Sequence, residues 1–199
     1  MNERLIVPIV EGHGEVSALP TLLYRLAGAA GYRGLLRVNP PIRVKATAFL
    51  QPDHSDFRKH LALARAKAHP HGLVLLLFDC EDACPAMVGP ELLARARTEC
   101  PGAAIVVVRA YREFETWFLA AADSLRELGY LRHDATPPAD PETIRDAKGW
   151  LDHNLKGGYD PVTHQQDLAR DFDLAAARRV ASFDRFYRRV AGYFVSGRP

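Results

Sequence analysis

The chain has 199 residues, 48% of them hydrophobic and 25% charged, which is the composition of an ordinary soluble globular protein of one good-sized domain. The formal net charge of +2 neither requires nor excludes a nucleic-acid partner, and since no apolar stretch approaches the ~20 residues of a membrane span, we expect no membrane contact. Three cysteines (Cys80, Cys84 and Cys100) and no signal-peptide core after the N-terminus indicate reduced thiols in a cytoplasmic protein.

Strand and helix patterns alternate over roughly the first 125 residues, which predicts a parallel sheet with crossover helices. Short apolar runs predict the strands, and longer runs with one apolar face predict the helices. The predicted strands are residues 4–10, 42–50, 73–78 and 104–108. The predicted helices between them are residues 15–29, a segment from Ser55 that ends before Pro70, and residues 90–99.

The composition changes to His, Asp, Pro and Thr over residues 131–141, which indicates a linker or a long loop. The remainder is predicted to be helical, with a break at residues 157–161 and an amphipathic last helix at 174–194. We therefore expect the α/β class: a mostly parallel sheet flanked by helices, formed by residues 1–130, and a helical C-terminal extension, residues 131–199, that packs on it.

The first predicted strand runs directly into an acidic, glycine-containing segment. Gly12 and Gly14 permit a tight turn with outward N–H groups, and the helix that follows presents its N-terminus to the same space. Gly12, His13 and Gly14 are therefore candidates for binding a phosphate. Glu11, at the strand tip, is a candidate functional acid, whereas Glu15 is either a second one or a helix residue stabilised by the helix dipole.

A second acidic cluster follows the apolar strand at 73–78. Asp79 and Glu81 project to the same side of an extended chain, which suits two oxygen ligands for Mg²⁺, and Asp82 is either a further site acid or a helix cap. Glu115 follows the next strand and is expected to face the same edge, whereas Glu113 is as readily a helix N-terminal charge. Because carboxylates gathered at one edge repel one another, we expect one or two Mg²⁺ or Mn²⁺ ions there.

Two basic features accompany these acids. Lys148 on a predicted helix is a solvated lysine by itself, but it becomes a phosphate contact if the C-terminal part folds back over the acidic edge. Arg178, Arg185 and Arg189 form a stripe on the last helix. This stripe either follows a phosphate backbone or is a solvated helix face, and the solvated face is the more common case.

Four short motifs together resemble a known family. A strand ending in Glu-Gly-x-x-Glu and a later strand ending in Asp-x-acid resemble the TOPRIM domain, the metal site of topoisomerases, bacterial primases and the overcoming-lysogenization-defect (OLD) nucleases. Over nearly its whole length the chain is similar to the TOPRIM-related family called domain of unknown function 4276. The motifs that carry this resemblance are residues 11–15, 79–82, 115–119 and 182–186.

The resemblance implies a TOPRIM-like (Rossmann-like) fold and a metal-dependent nuclease acting on DNA or RNA. Glu11 matches the TOPRIM glutamate, a general acid/base or metal ligand, and Glu15 matches the second acid of the nuclease motif. Asp79 and Glu81 match the Asp-x-Asp metal pair, with glutamate in the second place. Lys148 joins Glu11 and Asp79 as a catalytic candidate, since a basic residue would offset charge on the transition state.

TOPRIM-related families of this kind often stand beside ATPases in prokaryotic anti-phage or mobile-element systems, so the resemblance also implies a partner ATPase. The chain has no P-loop of its own, and any ATP used would be hydrolysed by that partner. Two alternatives stay open. In the first, the chain is a non-catalytic metal-binding or regulatory subunit of an ATPase complex. In the second, it is a phosphomonoesterase of the haloacid dehalogenase type. The last ranks lowest, because that chemistry needs Asp-x-Asp after the first strand.

Overall fold

The computed structural model describes residues 3–51, 55–80 and 85–196. Five strands form one sheet: β1 (Glu3–Val10), β2 (Leu35–Val38), β3 (Ile42–Arg43), β4 (Leu73–Asp79) and β5 (Ala104–Ala110). The strand order is β2-β1-β4-β5, β3 also pairs with β1, and each of these pairings is parallel. The predicted α/β class with a mostly parallel sheet is confirmed.

Helices cover both faces of this sheet, as expected when parallel strands are joined by crossovers. In chain order they are α1 (His13–Ala29), α2 (Ala46–Phe49), α3 (Ser55–Ala68), α4 (Pro85–Glu99), α5 (Thr116–Ala120), α6 (Ala122–Glu127), α7 (Ala147–Asn154), α8 (Pro161–Asp171), α9 (Leu174–Ala177) and α10 (Ala181–Ser196). A 3₁₀ turn spans Pro141–Thr143. Within the described ranges, none of the helices has the length and apolar character needed to cross a membrane.

The predicted strand at 42–50 is wrong. Only Ile42–Arg43 pairs with the sheet, β2 lies earlier, and the apolar residues that follow form the short helix α2. Phe49 packs against Phe57 and Phe78 at ring-centroid distances of 5.0 and 5.3 Å. The guanidinium of Arg95 donates to the Leu50 carbonyl at 2.7 Å and so satisfies the end of this helix. A contact with a residue 45 positions away therefore stabilises a helix in a segment whose local composition favours a strand.

The predicted last helix at 174–194 is also wrong as one element, because it is divided into α9 and α10. Asp173 caps α9 by accepting from the N–H of Ala175, and α9 ends at Ala177. Arg179, between the two helices, donates to the carbonyls of Ala120 and Pro138 at 2.9 and 3.1 Å. These long-range contacts hold the break. The helix predicted at 90–99 begins earlier, at the start of α4.

Alternation along the central strands places the core on both sides of the sheet. Val74, Leu76 and Phe78 of β4 pack with α3 and α4, whereas Leu75 and Leu77 pack with α1 and the C-terminal helices. Two-sided burial explains why these strands are continuous apolar runs. Trp117, Phe183 and Phe186 are fully buried on the second face, so residues from before and after residue 130 share one core. The division of the chain at residue 130 stays a prediction.

The strand register brings the C-terminal ends of β1, β4 and β5 to one edge of the sheet. Val10, the last residue of β1, pairs with Leu77, and Asp79 at the end of β4 pairs with Ala110 at the end of β5. Asp79 has the same parity as Leu75 and Leu77, so it lies on the face covered by α1. This carboxyl edge is where ligands bind in open α/β sheets.

Candidate functional site

Lys148 lies among three carboxylates at the carboxyl edge. Its Nζ is 2.9 Å from Glu113 Oε1, 3.6 Å from Glu115 Oε2 and 3.8 Å from Asp79 Oδ2. The lysine occupies the first turn of α7, whose N-cap Asp146 accepts from the N–H of Gly149. The C-terminal part of the chain thus brings a cation to the acidic edge. The phosphate-binding role predicted for Lys148 depends on this placement.

The segment between β5 and α5 sets the positions of these acids. The N–H of Phe114 donates to Asp79 Oδ1 at 2.8 Å, and the N–H of Lys148 donates to Glu113 Oε2 at 3.1 Å. Arg112 has φ 63°, a left-handed conformation that is uncommon for a residue with a side chain. Its Nε donates to the Glu142 carbonyl at 3.3 Å. Backbone strain of this kind persists only where the surrounding contacts fix it.

Glu115 is completely buried, and two side chains from the C-terminal region hold it. Tyr159 Oη and Gln165 Nε2 both donate to its Oε1, at 2.8 and 3.1 Å. Its Oε2 has no hydrogen-bond partner. Gly157 and Gly158, with φ 92° and 85°, make the left-handed turn that delivers Tyr159 to this carboxylate. Burial, followed by the charge of Glu115, raises the pKa of Tyr159, so the phenol stays a donor.

Glu15 belongs to the same cluster. The residue is 7% exposed, and its Oε2 has no hydrogen-bond partner. A Cβ at position 12 would lie 2.1 Å from this oxygen, so Gly12 leaves the space that the carboxylate occupies. Burial raises the pKa of Glu15 to about 7, and the charge of Glu115 is the next cause. The structure thus places Glu15 in the carboxylate cluster, and its role as a functional acid stays a prediction.

Asp79 completes a set of carboxylates that influence one another. Burial raises the pKa of Asp79 well above its ordinary value, the charges of Glu115 and Glu15 raise it further, and Lys148 and the Phe114 N–H oppose them. Burial also raises the pKa of Glu115, against Lys148 and Tyr159. Burial and mutual repulsion therefore outweigh the single ammonium group, so these carboxyl groups keep their protons to a higher pH than exposed ones do.

The other predicted site residues that the structure describes lie near the same edge. Glu11 is half-buried and directly follows β1, and His13 is the exposed first residue of α1. Gly14 is buried against α8. Glu81 and Asp82 lie outside the described residues. The phosphate-binding role of residues 12–14 and the metal-binding role of Glu81 stay predictions.

Two further facts bear on metal binding. Across residues 3–51, 55–80 and 85–196, no three His, Cys, Asp or Glu side chains are arranged to hold a metal ion. Cys80 directly follows β4 and Cys100 lies between α4 and β5; both are buried thiols outside any disulfide, and Cys84 lies outside those ranges. The donors that do converge are carboxylate oxygens, which are hard ligands.

Comparison with known families decides the relationship of the chain. The sequence model of the family described as "Domain of unknown function (DUF4276)" matches residues 10–191, which is nine-tenths of the chain. The chain belongs to the DUF4276 family. Comparisons of this DUF4276 chain with curated proteins and with solved structures give no match. The match contains the carboxyl edge, Lys148 and the basic stripe of the last helix.

Sequence reasoning missed Tyr159 and Gln165 in this DUF4276 chain, and it left Glu113 undecided. Glu113 makes the closest contact to Lys148, and the other two hold Glu115. The Gly157-Gly158 pair is the signal that was available: two consecutive glycines before a tyrosine indicate a turn made to place that side chain. Gln165 carried no signal, because its role depends on how α8 packs.

The close packing of α1 on α8 predicts an unequal response of two glycines in one helix. A Cβ at Gly14 would lie 2.1 Å from Gln165 Oε1 and 2.7 Å from the Pro161 carbonyl oxygen, so the backbones must separate. We expect Gly14→Ala to lower the free energy of unfolding by about 1–3 kcal/mol in urea titrations. Gly28→Ala, where nothing lies within 4 Å, should instead raise it by about 0.5–1 kcal/mol. Equal effects would contradict this packing.

Proposed function

We propose that this DUF4276 protein is a TOPRIM-like, metal-dependent nuclease that hydrolyses phosphodiester bonds in DNA or RNA. One observation carries the proposal. Glu15 and Glu115 are buried side chains that each keep a carboxylate oxygen without a hydrogen-bond partner, and the charges of both act on Asp79 at the carboxyl edge. Buried polar atoms are nearly always hydrogen-bonded, and Lys148, 3.6 Å from Glu115 Oε2, is the one cation close to these two oxygens among the described residues, which supports a site able to take a further cation.

The chemistry of these donors fits Mg²⁺ or Mn²⁺. Glu15, Asp79, Glu113 and Glu115 are all oxygen donors, and against them stands the single charge of Lys148. Glu15, Asp79 and Glu115 do not form a ready three-ligand group, so we infer that they would hold one or two ions by drawing closer together, with Glu11, Glu81 and Asp82 as further ligand candidates. Bound there, the metal would supply Lewis-acid activation of the phosphate and of the attacking water.

The residues of the chain would have distinct parts in this reaction. The ammonium of Lys148, already within 4 Å of three carboxylates, would offset negative charge on the phosphate. Glu11, at the tip of β1, is the candidate general acid/base. Tyr159 and Gln165 are positioning residues, because they fix Glu115 Oε1 and leave Oε2 directed to the cluster.

The TOPRIM resemblance extends this proposal to partners and location. We infer a cytoplasmic protein that works with an ATPase in a prokaryotic defence or mobile-element system. The sequence has no P-loop motif, so any ATP used by the system would be hydrolysed by the partner. Co-purification of an ATPase with the tagged protein would support this part, independently of cleavage.

A cleavage assay tests the proposed activity. Plasmid, single-stranded DNA and RNA are each incubated with Mg²⁺, with Mn²⁺ and with EDTA. We expect metal-dependent cleavage by the wild type and a loss of at least about 100-fold in Asp79→Asn, since a donor directed at the reaction centre is removed. Asp134→Asn is the matched control, because Asp134 is exposed and pairs only loosely with Arg132, at 3.4 Å. Equal cleavage by Asp79→Asn and wild type would refute the site.

A second candidate function has a specific observation in its favour. Lys148 already gives the carboxylates a counter-cation, and the described residues hold no three-ligand metal group. This arrangement also suits the regulatory form of the alternative, a non-catalytic subunit of an ATPase complex. That function predicts no cleavage of any substrate with either metal, together with a stable complex with the ATPase.

A further inference from the structure

Arginines gather where the sheet ends at β5. We call Arg97, Arg185 and Arg189 the basic edge. Arg97 lies in the last turn of α4, which packs against β5 on one side. Arg185 and Arg189 lie one helical turn apart on α10, which also contacts β5. Two separate helices therefore contribute positive charge to the same border of the sheet.

These three guanidinium groups make no hydrogen bond or ion pair with any other residue in the described part of the chain. Their neighbours differ: Arg178 and Arg188 both bind Asp184, each at 2.8 Å. Burial lowers the pKa of Arg189, and repulsion from Arg185, Arg97 and Arg188 lowers it further. The basic edge is thus a set of like charges held near one another without the partner that the adjacent arginines have.

The carboxyl group of Glu142 interacts electrostatically with Arg185 and lies at the start of α10. The pKa of Glu142 is raised mainly by burial, while the backbone of Ser182 and Ala181 and the charge of Arg185 oppose that effect. One partly buried acid leaves a surplus of positive charge. In a chain with a net charge of only +2, this surplus is a segregation of charge, with acids at the carboxyl edge and arginines beside β5.

The helix that carries Arg185 and Arg189 begins next to the candidate site. α10 begins beside the carboxyl edge, since Trp117 Nε1 in α5 donates to Ser182 Oγ at 3.1 Å and Trp117 lies two residues after Glu115. Tyr193, near the other end of α10, donates to the Leu5 carbonyl at the start of β1. α10 therefore runs down the sheet from the site, and Arg185 precedes Arg189 along that direction.

We propose that the basic edge binds the phosphate backbone of a nucleic-acid strand and leads that strand to the carboxylate cluster. The proposal rests on the proposed function, since the strand would be the substrate of the nuclease. Charge complementarity selects this occupant: guanidinium groups spread over two helices suit a row of phosphates better than one small anion. An acidic protein surface, or mere protection of the sheet edge from strand pairing, is an outcome that the test distinguishes.

Binding of fluorescent single-stranded DNA, duplex DNA and RNA is measured by anisotropy in EDTA, so that cleavage plays no part. Two triple variants carry the same change in charge: Arg97→Gln/Arg185→Gln/Arg189→Gln at the basic edge, and Arg33→Gln/Lys59→Gln/Lys67→Gln elsewhere on the exposed surface. We expect the first to bind at least about tenfold more weakly and to lower the slope of log K against log salt by about 2–3. The second should bind like the wild type.

Equal binding by the two variants would overturn the basic edge as a nucleic-acid surface. Competition by polyglutamate as effective as by unlabelled DNA would overturn it in favour of an acidic protein. Failure of the proposed function has a different signature: binding that depends on the basic edge, with no cleavage under Mg²⁺ or Mn²⁺. Metal-dependent cleavage that is the same in the triple variant and the wild type would overturn the basic edge and leave the nuclease standing.

Discussion

Replacing Glu15 by glutamine is expected to remove the part of the pH dependence of the unfolding free energy that this carboxyl group contributes. The pKa of Glu15 is raised to about 7, mainly by burial, so the folded protein binds a proton that the unfolded chain releases above a pKa of 4.5. The wild type therefore loses stability as the pH rises from about 4.5 to about 7, by about 3 kcal/mol for this group. Below that window the penalty is absent, and above it the penalty is complete.

Glu15→Gln removes this slope, so its stability relative to the wild type should improve by about 3 kcal/mol between about pH 4.5 and about pH 8. Urea unfolding in EDTA at several pH values measures the difference. Glu127→Gln is the control, because Glu127 is exposed at the end of α6 and should leave the slope unchanged. A variant whose stability parallels the wild type at every pH would show that Glu15 is not a strained carboxylate.

The same argument links stability to ligand binding. A bound cation reduces the repulsion between carboxylates that destabilises the metal-free protein. The stability lost at high pH should therefore be regained in part when the cation binds. Mg²⁺ or Mn²⁺ at about pH 8 should raise the melting temperature of the wild type more than that of Glu15→Gln. Stability measurements thus report on the metal site without any assay of cleavage.

The central strands and Asp79 could be predicted from the sequence because their signals are local. Residues 73–78 form an apolar run that stops at an acid, and β4 ends at that acid. Residues 42–50 lacked such a signal, since Ala46 and Phe49 are buried at helical spacing and Arg95, far along the chain, closes the helix. Where the deciding contact is distant, local composition favours the wrong element.

The site divides in the same way. Glu15 and Glu115 were candidates because they follow strands that the sequence marks clearly, and parallel strands bring their ends together. The environment of Glu115 could not be predicted, because Tyr159 and Gln165 reach it only through the packing of α8 on α1. The glycine at position 14 is consistent with close packing of α1 on α8, but only the three-dimensional structure shows that its neighbour is Gln165.

Replacing Lys148 by methionine should change metal affinity and cleavage in opposite directions. The ammonium lies 2.9–3.8 Å from three carboxylates, so its removal leaves their charge less compensated. We expect the metal-free variant to lose about 1–2 kcal/mol of stability, a modest amount because the lysine side chain is 42% exposed. At about pH 8 its affinity for Mn²⁺ should rise about tenfold, since a competing cation is gone.

Mn²⁺ binding is measured by calorimetry, with Lys156→Met as the control on an exposed lysine. Tighter metal binding with weaker cleavage would show that Lys148 contacts the phosphate. If the lysine only balanced the charge of the carboxylates, the bound ion would take over that role and cleavage would not fall. Tighter binding with unchanged cleavage would make Lys148 a substitute for the metal in the free protein. Weaker binding in Lys148→Met would contradict both assignments and would mean that the lysine holds the carboxylates in place for the ion.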